Sequence, residues 1–191
     1  LGTLLMGIIM TFLVIPPVTA INNAMVGFLN GLGGTSKIVL GLVLGGMMAV
    51  DMGGPVNKAA YVFGVASLES GQFEIMAAVM AGGMVPPLAI ALATTFFKNR
   101  FTKEERDSGK VNYVMGLSFV TEGAIPFAAG DPLHVIPACV GGSAVAGALS
   151  MLFNAALRAP HGGVFVIPVV THPFAYILAI AVGALVGMML L

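Results

Sequence analysis

Four stretches without a charged side chain, residues 1–36, 75–97, 132–157 and 159–191, set the limits on what this chain can fold into. Each is longer than the ~20 mainly apolar residues that a helix needs to cross a hydrocarbon core. With 58% apolar residues in a chain of 191, a soluble domain would have to expose far more hydrocarbon than water tolerates. The eight basic and eight acidic side chains cancel, so no basic stripe exists to neutralise a phosphate backbone, and a nucleic-acid partner is excluded. The expected fold is all-α: a polytopic membrane protein with discontinuous helices and a re-entrant hairpin, in contact with the lipid bilayer along most of its length.

The one strongly polar interval, KNRFTKEERDSGK from Lys98 to Lys110, carries five basic and three acidic residues. It reads as a solvated loop, and its Lys and Arg excess places it on the cytoplasmic side. Around it, Leu4 to Phe28 supplies a first span that Pro16 and Pro17 bend. Ile38 to Val50 is too short to cross alone and suggests a discontinuous helix, interrupted by Gly53, Gly54 and Pro55, with the next helix beginning near Val56. Phe73 to Phe97 is a further span in which Pro86 and Pro87 repeat the break. Val111 to Phe119 runs into Thr121, Glu122, Gly123, Pro126, Gly130 and Asp131, a pattern expected for the re-entrant hairpin, whose tip must be covered by protein or line a wet cavity. His134 to Leu157 is a span rich in small residues. Arg158 to Gly163 breaks the chain again, with Gly162 inside the break, and a terminal span begins near Pro173. Gly27 with Gly31, Gly41 with Gly45 and Gly183 with Gly187 have the spacing that lets membrane helices pack closely.

Chemistry-bearing residues concentrate at the breaks. In DMGGPVNKAA, Asp51 accepts hydrogen bonds, Asn57 both donates and accepts, and Lys58 donates, so the string can hold a hydroxylated ligand. Equally, Asp51 can cap the next helix or pair with Lys58. In VTEGAIPF, Glu122 lies between apolar flanks and can accept from two sugar hydroxyls, or satisfy hairpin amides instead. Asp131 can cap a helix that starts at Pro132, or bind ligand. His161 can bridge substrate and backbone or tie its own break together, and His172 reads as structural. No Cys and His spacing fits a metal cage, no glycine string cradles a nucleotide, and Cys139 reads as a packing residue, so neither metal nor cofactor is expected.

Three strings together, DMGGPVNKAA at 51–60, VTEGAIPF at 120–127 followed by Asp131 and Pro132, and APHGG at 159–163, resemble the fructose-type membrane subunit, enzyme IIC, of the bacterial phosphoenolpyruvate-dependent sugar phosphotransferase system. The resemblance runs along nearly the whole chain and is to the carboxy-terminal portion of that subunit, so residues 1–191 are expected to be part of a longer permease domain. It implies a multi-pass protein of the bacterial cytoplasmic (inner) membrane, working as a homodimer. The implied partners are a soluble enzyme IIB bearing a phosphorylated cysteine, and upstream enzyme IIA and phosphocarrier protein. The implied activity is uptake of fructose or a related hexose coupled to its phosphorylation. It further implies that Glu122 is the sugar-contacting and catalytic acid, with Asp51, Asn57, Asp131 and His161 also around the sugar. Discontinuous helices with buried acids also suit an ion-coupled transporter without group transfer.

Overall fold

The computed structural model describes residues 2–16, 19–20, 23 and 37–191, and among them every regular element is helical. Helix α1 (Gly2–Ile9) widens into a π turn at Met10–Val14, just before Pro16. Most of the expected first span and the Gly27–Gly31 pair lie outside the described residues. The remaining helices are α2 (Lys37–Val50), α3 (Pro55–Glu69), α4 (Phe73–Phe96), α5 (Lys103–Leu117), α6 (Ile125–Gly130), α7 (Pro132–Leu152) and α8 (Pro173–Leu190). Short 3-10 turns occupy Lys98–Arg100, Thr121–Ala124 and Gly163–Val169.

Three of these helices, α4, α7 and α8, are long and apolar enough to cross a membrane, and burial separates them. In α4, 89% of the apolar window is buried by the rest of the chain, against 50% in α7 and 39% in α8. An all-round apolar helix is therefore the central post in one case and an outer wall in another. Where α8 remains uncovered it exposes Phe174, Ile177, Leu178, Leu185 and Met189, a surface suited to hydrocarbon.

Small residues set the spacing of the walls, because without a side chain two helix backbones can touch. On α2, Gly41 meets the carbonyl of Gly147 and Gly45 meets that of Ser143, both on α7. A methyl group on Gly82 of α4 would lie 2.6 Å from the Gly45 Cα. Between α7 and α8, a methyl on Gly183 would come within 2.6 Å of the Gly142 carbonyl oxygen. The two glycine pairs that fall within the described residues are thus both at helix crossings.

Two hairpins reach the middle of α4 from opposite ends. Helix α2 starts beside the beginning of α4, where Lys37 Nζ lies 3.5 Å from Glu74 Oε1, and ends with Met48 against Gly83. Its 14 residues span only about 21 Å at 1.5 Å per residue. Helix α3 then returns, with Gly64 packed on Met76 and Val79. From the other end, α5 runs antiparallel to α4: Gly109 meets Thr94, Gly116 meets Leu88, and Phe119 meets Gly83. After the turn the chain leads back to the far end, where Phe127 and Asp131 share a pocket with Arg100 and Glu105.

Two expectations need correction. The charged interval is a loop only up to Thr102; residues from Lys103 onward are helical. A capping box explains the difference: the Glu105 N–H donates to Thr102 Oγ1 at 3.2 Å, and the Thr102 N–H donates to Glu105 Oε2 at 2.8 Å. Likewise Pro86 and Pro87 do not break α4, which continues through both of them. The carbonyl that Pro87 would have left orphaned is that of Gly83, and it accepts a 2.8 Å hydrogen bond from the Thr121 hydroxyl.

Candidate functional site

The tips of the two hairpins meet at Gly83, the eleventh of the 24 residues of α4. That position is about 15 Å from one end of the helix and about 20 Å from the other. The first tip is built by its own polar side chains. Asp51 accepts from the Val56 N–H at 2.7 Å through Oδ2 and from the Asn57 N–H at 2.9 Å through Oδ1. Pro55 at the helix start has no N–H to satisfy, so the first turn of α3 is complete. Asn57 Nδ2 donates to the Met48 carbonyl at 2.6 Å and ties the end of α2 to the start of α3. Gly53 supplies a φ of 115° at the turn, a conformation that side chains oppose.

The second tip is held by other segments. Besides the Thr121 bond to Gly83, the ring of Phe119 lies on Gly83, and Phe119 itself adopts a φ of 62°. Gly163, at φ 55°, presses its backbone against the turn at Leu117–Phe119. A methyl group there would lie 2.9 Å from the Phe119 nitrogen. The segment before it is anchored elsewhere: the Leu157 N–H donates to the Phe73 carbonyl at 3.0 Å, and the Arg158 guanidinium sits 5.1 Å from the Phe73 ring centre. Residues 158–163 therefore lead from one end of α4 to its middle, carrying His161 to the tips.

Between the tips lies a cavity of about 230 Å³ lined by Met48, Asn57, Lys58, Tyr61, Phe119, Val120, Thr121, Glu122 and His161. Ligand pockets commonly measure ~300–1,000 Å³, so this one suits a compact polar molecule better than a nucleotide. Glu122 reaches across to the first tip: its Oε1 is 2.8 Å from where a methyl on Gly53 would stand. Its side chain is exposed, and among the described residues it has no hydrogen-bond or ion-pair partner, which leaves both oxygens to accept from a ligand. Across the cavity Lys58 supplies a cation, and His161 supplies ring nitrogens with its ring centre 4.9 Å from that of Phe119. Tyr61 and Phe119 give the cavity its apolar faces, with ring centres 6.3 Å apart.

Of the residues singled out from the sequence, Glu122, Asn57, Lys58 and His161 come together here. Asp51 stands just behind, its carboxylate committed to the α3 amides, and no Asp51–Lys58 ion pair forms among the described residues. Asp131 lies elsewhere, at the Arg100 end, capping α7 by accepting from the His134 N–H at 3.3 Å. The His134 ring hydrogen bond holds the Asp131 carboxyl below its ordinary range, against a smaller opposing effect of burial. Pro126 sits in the first turn of α6, and Gly123 packs on Asn112 and Met115 under the second tip. Sequence reading missed Tyr61, Phe119 and Thr121. Tyr61 was within reach, since 57, 58 and 61 share one face of a helix.

Comparison with known proteins identifies the family. The family model for "Phosphotransferase system, EIIC" matches residues 1–142. The fructose permease IIC component of Bacillus amyloliquefaciens is 53% identical over 191 residues, covering 100% of this chain and 62% of that protein. The PTS system fructose-specific EIIABC component of Bacillus subtilis is 55% identical over 185 residues, 97% of this chain and 29% of that protein. The PTS system fructose-specific EIIB'BC component of Escherichia coli K12 is 47% identical over 190 residues, 98% of this chain and 34% of that protein. The chain thus spans between 29% and 62% of the length of these relatives. No solved structure matches. With nearly three quarters of its residues matched by one family model and whole-chain similarity to these relatives, the chain belongs to the phosphotransferase system EIIC family.

Proposed function

We propose that this chain forms the sugar-handling part of a multi-pass EIIC permease in the bacterial inner membrane, which carries fructose or a related hexose inward as it is phosphorylated. The carrying observation is the cavity between two opposed hairpin tips, where a carboxylate with no partner among the described residues, a lysine and a histidine surround a space of about 230 Å³ halfway along α4. Glu122 and Asn57 orient sugar hydroxyls, His161 donates or accepts at a third, and Tyr61 and Phe119 pack against the C–H faces of the ring. The hairpins are re-entrant, and irregular backbone at their tips is tolerated because protein and a wet cavity surround it. Asp131, at the other end of α6, does not touch the sugar in this state.

The phosphoryl donor is the phosphocysteine of a soluble B component, itself recharged by enzyme IIA and the phosphocarrier protein. The fructose-specific names of the relatives favour this substrate and favour group transfer over ion coupling. In the transfer, a sugar hydroxyl oxygen forms the new bond to phosphorus as the S–P bond breaks, the cysteine thiolate leaves with that electron pair, and the hydroxyl proton passes to Glu122. Lys58 offsets the charge of the incoming phosphoryl group. Catalysis is then mainly in-line positioning and charge compensation. The permease acts as a homodimer, with residues 98–102 facing the cytoplasm.

The test is uptake of radiolabelled fructose by the full-length protein with its phosphorylated B component. Glu122→Gln replaces an acceptor by a mixed donor and acceptor, and sugar phosphate formation is expected to fall at least ~100-fold, the scale of a lost proton acceptor. Unchanged binding and product formation would remove Glu122 from the site.

A further inference from the structure

A second cavity, of about 380 Å³, opens where α4 ends and α5 begins, and it belongs to none of the machinery described above. Its wall holds four of the chain's eight cations, Lys98, Lys103, Arg106 and Lys110, with Asp107 as the one acid. Lys110 Nζ is engaged by Asp107 at 2.7 Å. Lys98, Lys103 and Arg106 have no acidic partner among the described residues, and the Nε of Arg106 is buried without a hydrogen bond. The cavity therefore carries a surplus of three positive charges, and a buried guanidinium nitrogen lacks the acceptor that such groups require.

The hydroxyls of Thr94 and Thr95 are already spent on carbonyls of their own helix, so binding at this place would rest on charge rather than on neutral hydrogen bonding. Its position is equally informative. Thr94 and Thr95 lie in the last turn of a helix long enough to cross a membrane, and the exposed Lys98, Asn99 and Arg100 follow within a turn, where a chain leaving the hydrocarbon meets charged headgroups. Below the cations, α5 exposes Val111, Val114 and Leu117, one apolar strip in contact with whatever surrounds the helix. A phosphate resting among Lys98, Lys103 and Arg106 would leave two acyl chains free to lie along that strip.

We infer that this cavity binds the phosphate headgroup of an anionic phospholipid at the cytoplasmic face. Charge complementarity selects an anion, and the adjoining apolar strip selects a lipid over a free ion or an acidic protein surface. The site would fasten the N-terminal half of α5, and through α5 the second hairpin tip, to the membrane surface. This inference goes beyond sugar transport and stands or falls separately from it.

The experiment uses full-length protein in detergent, with retained lipids counted by native mass spectrometry in the presence of phosphatidylglycerol or phosphatidylcholine. The wild type is expected to retain one phosphatidylglycerol at least ~10-fold more tightly than phosphatidylcholine, the scale of two to three interfacial charges. The triple variant Lys98→Gln, Lys103→Gln, Arg106→Gln should lose that preference, while Arg158→Gln, which removes an equal kind of charge elsewhere, should keep it. Lys98→Arg with Lys103→Arg should restore it, and the single Arg106→Gln should show an intermediate fall. Retention of the preference by the triple variant overturns the inference, as does inorganic phosphate binding as tightly as the lipid. So does a variant with wild-type lipid retention whose only defect is in transfer from the B component, because that outcome assigns the patch to a protein partner.

Discussion

The two hairpin tips are built on different principles. At the first, residues 48–57 satisfy one another: Asp51 caps α3, Asn57 closes α2 on the Met48 carbonyl, and both ties lie within nine residues. At the second, the ties come from far along the chain, with Thr121 bonded to Gly83 and Gly163 pressed on the turn at 117–119. The self-capped tip has spent its carboxylate on its own backbone. Because the second tip is held from outside, the carboxylate of Glu122 is left without a partner among the described residues. An acidic residue at a helix break is therefore not in itself a binding residue; what decides is whether other segments have already done the structural work.

The most damaging change to this pairing is at the point of contact. Gly53→Val combines the strain of a left-handed backbone, about 1–3 kcal/mol, with a side chain driven into Glu122. Fructose phosphorylation by the full-length protein is expected to fall more than ~10-fold, since displacement of a reacting group by about 1 Å can cost ~100-fold. Gly130→Ala, at a glycine with open space around it, should leave activity within about twofold, as surface changes do. Equal losses in the two variants would mean that the tips do not meet as described.

Next in size is Thr121→Val, which strands the Gly83 carbonyl inside a helix that Pro87 prevents from repairing itself. A loss of about 1–3 kcal/mol is expected in thermal unfolding of the purified protein, whereas Thr121→Ser should keep most of the stability. Asp51→Ala tests the self-capped tip and should cost about 0.5–2 kcal/mol. If Asp51→Ala instead abolished sugar binding with stability intact, Asp51 would act on a ligand rather than as the cap of α3.

The smallest effect belongs to Asp131, outside both tips. Its carboxyl is held below the ordinary value of 3.8 by the His134 hydrogen bond. A depressed carboxylate stabilises the fold above its unfolded pKa and loses that contribution as pH falls through the folded value. The slight difference in melting temperature between the wild type and Asp131→Ala should thus be present at neutral pH, begin to fade as the pH falls below 3.8, and be gone once it is below the lower folded value. Because the pair is exposed, salt should weaken it further.

Much of this arrangement was legible in local pattern. The half-length run before Asp51, the restart near Val56, the span from Phe73 and the last helix from Pro173 all follow from apolar runs ended by Gly, Pro or acid. Where reading failed, a distant partner had intervened or a cap had been passed over. Pro86 and Pro87 look like breaks until the Thr121 hydroxyl arrives from 38 positions away in the chain to take up the orphaned carbonyl. The helix at Lys103 was readable from Thr102 and Glu105, but the density of charge suggested a loop.

By itself, the order of residues determined that the chain belongs in lipid, that its helices come in full and half lengths, and that polar groups gather at the half-length ends. Those outcomes depend on hydrocarbon transfer and on backbone amides and carbonyls seeking partners within a few residues, both of which are local. Only the tertiary structure decided that α4 is the post and α8 the wall, although both are comparably apolar. It alone brought Glu122 to Gly53 and His161 to Phe119, and left Asp131 at the other end. Contacts between segments so far apart depend on which helix surfaces can approach closely enough to touch, and among the described residues glycines set that approach, against another glycine in some places and against a side chain or turn in others.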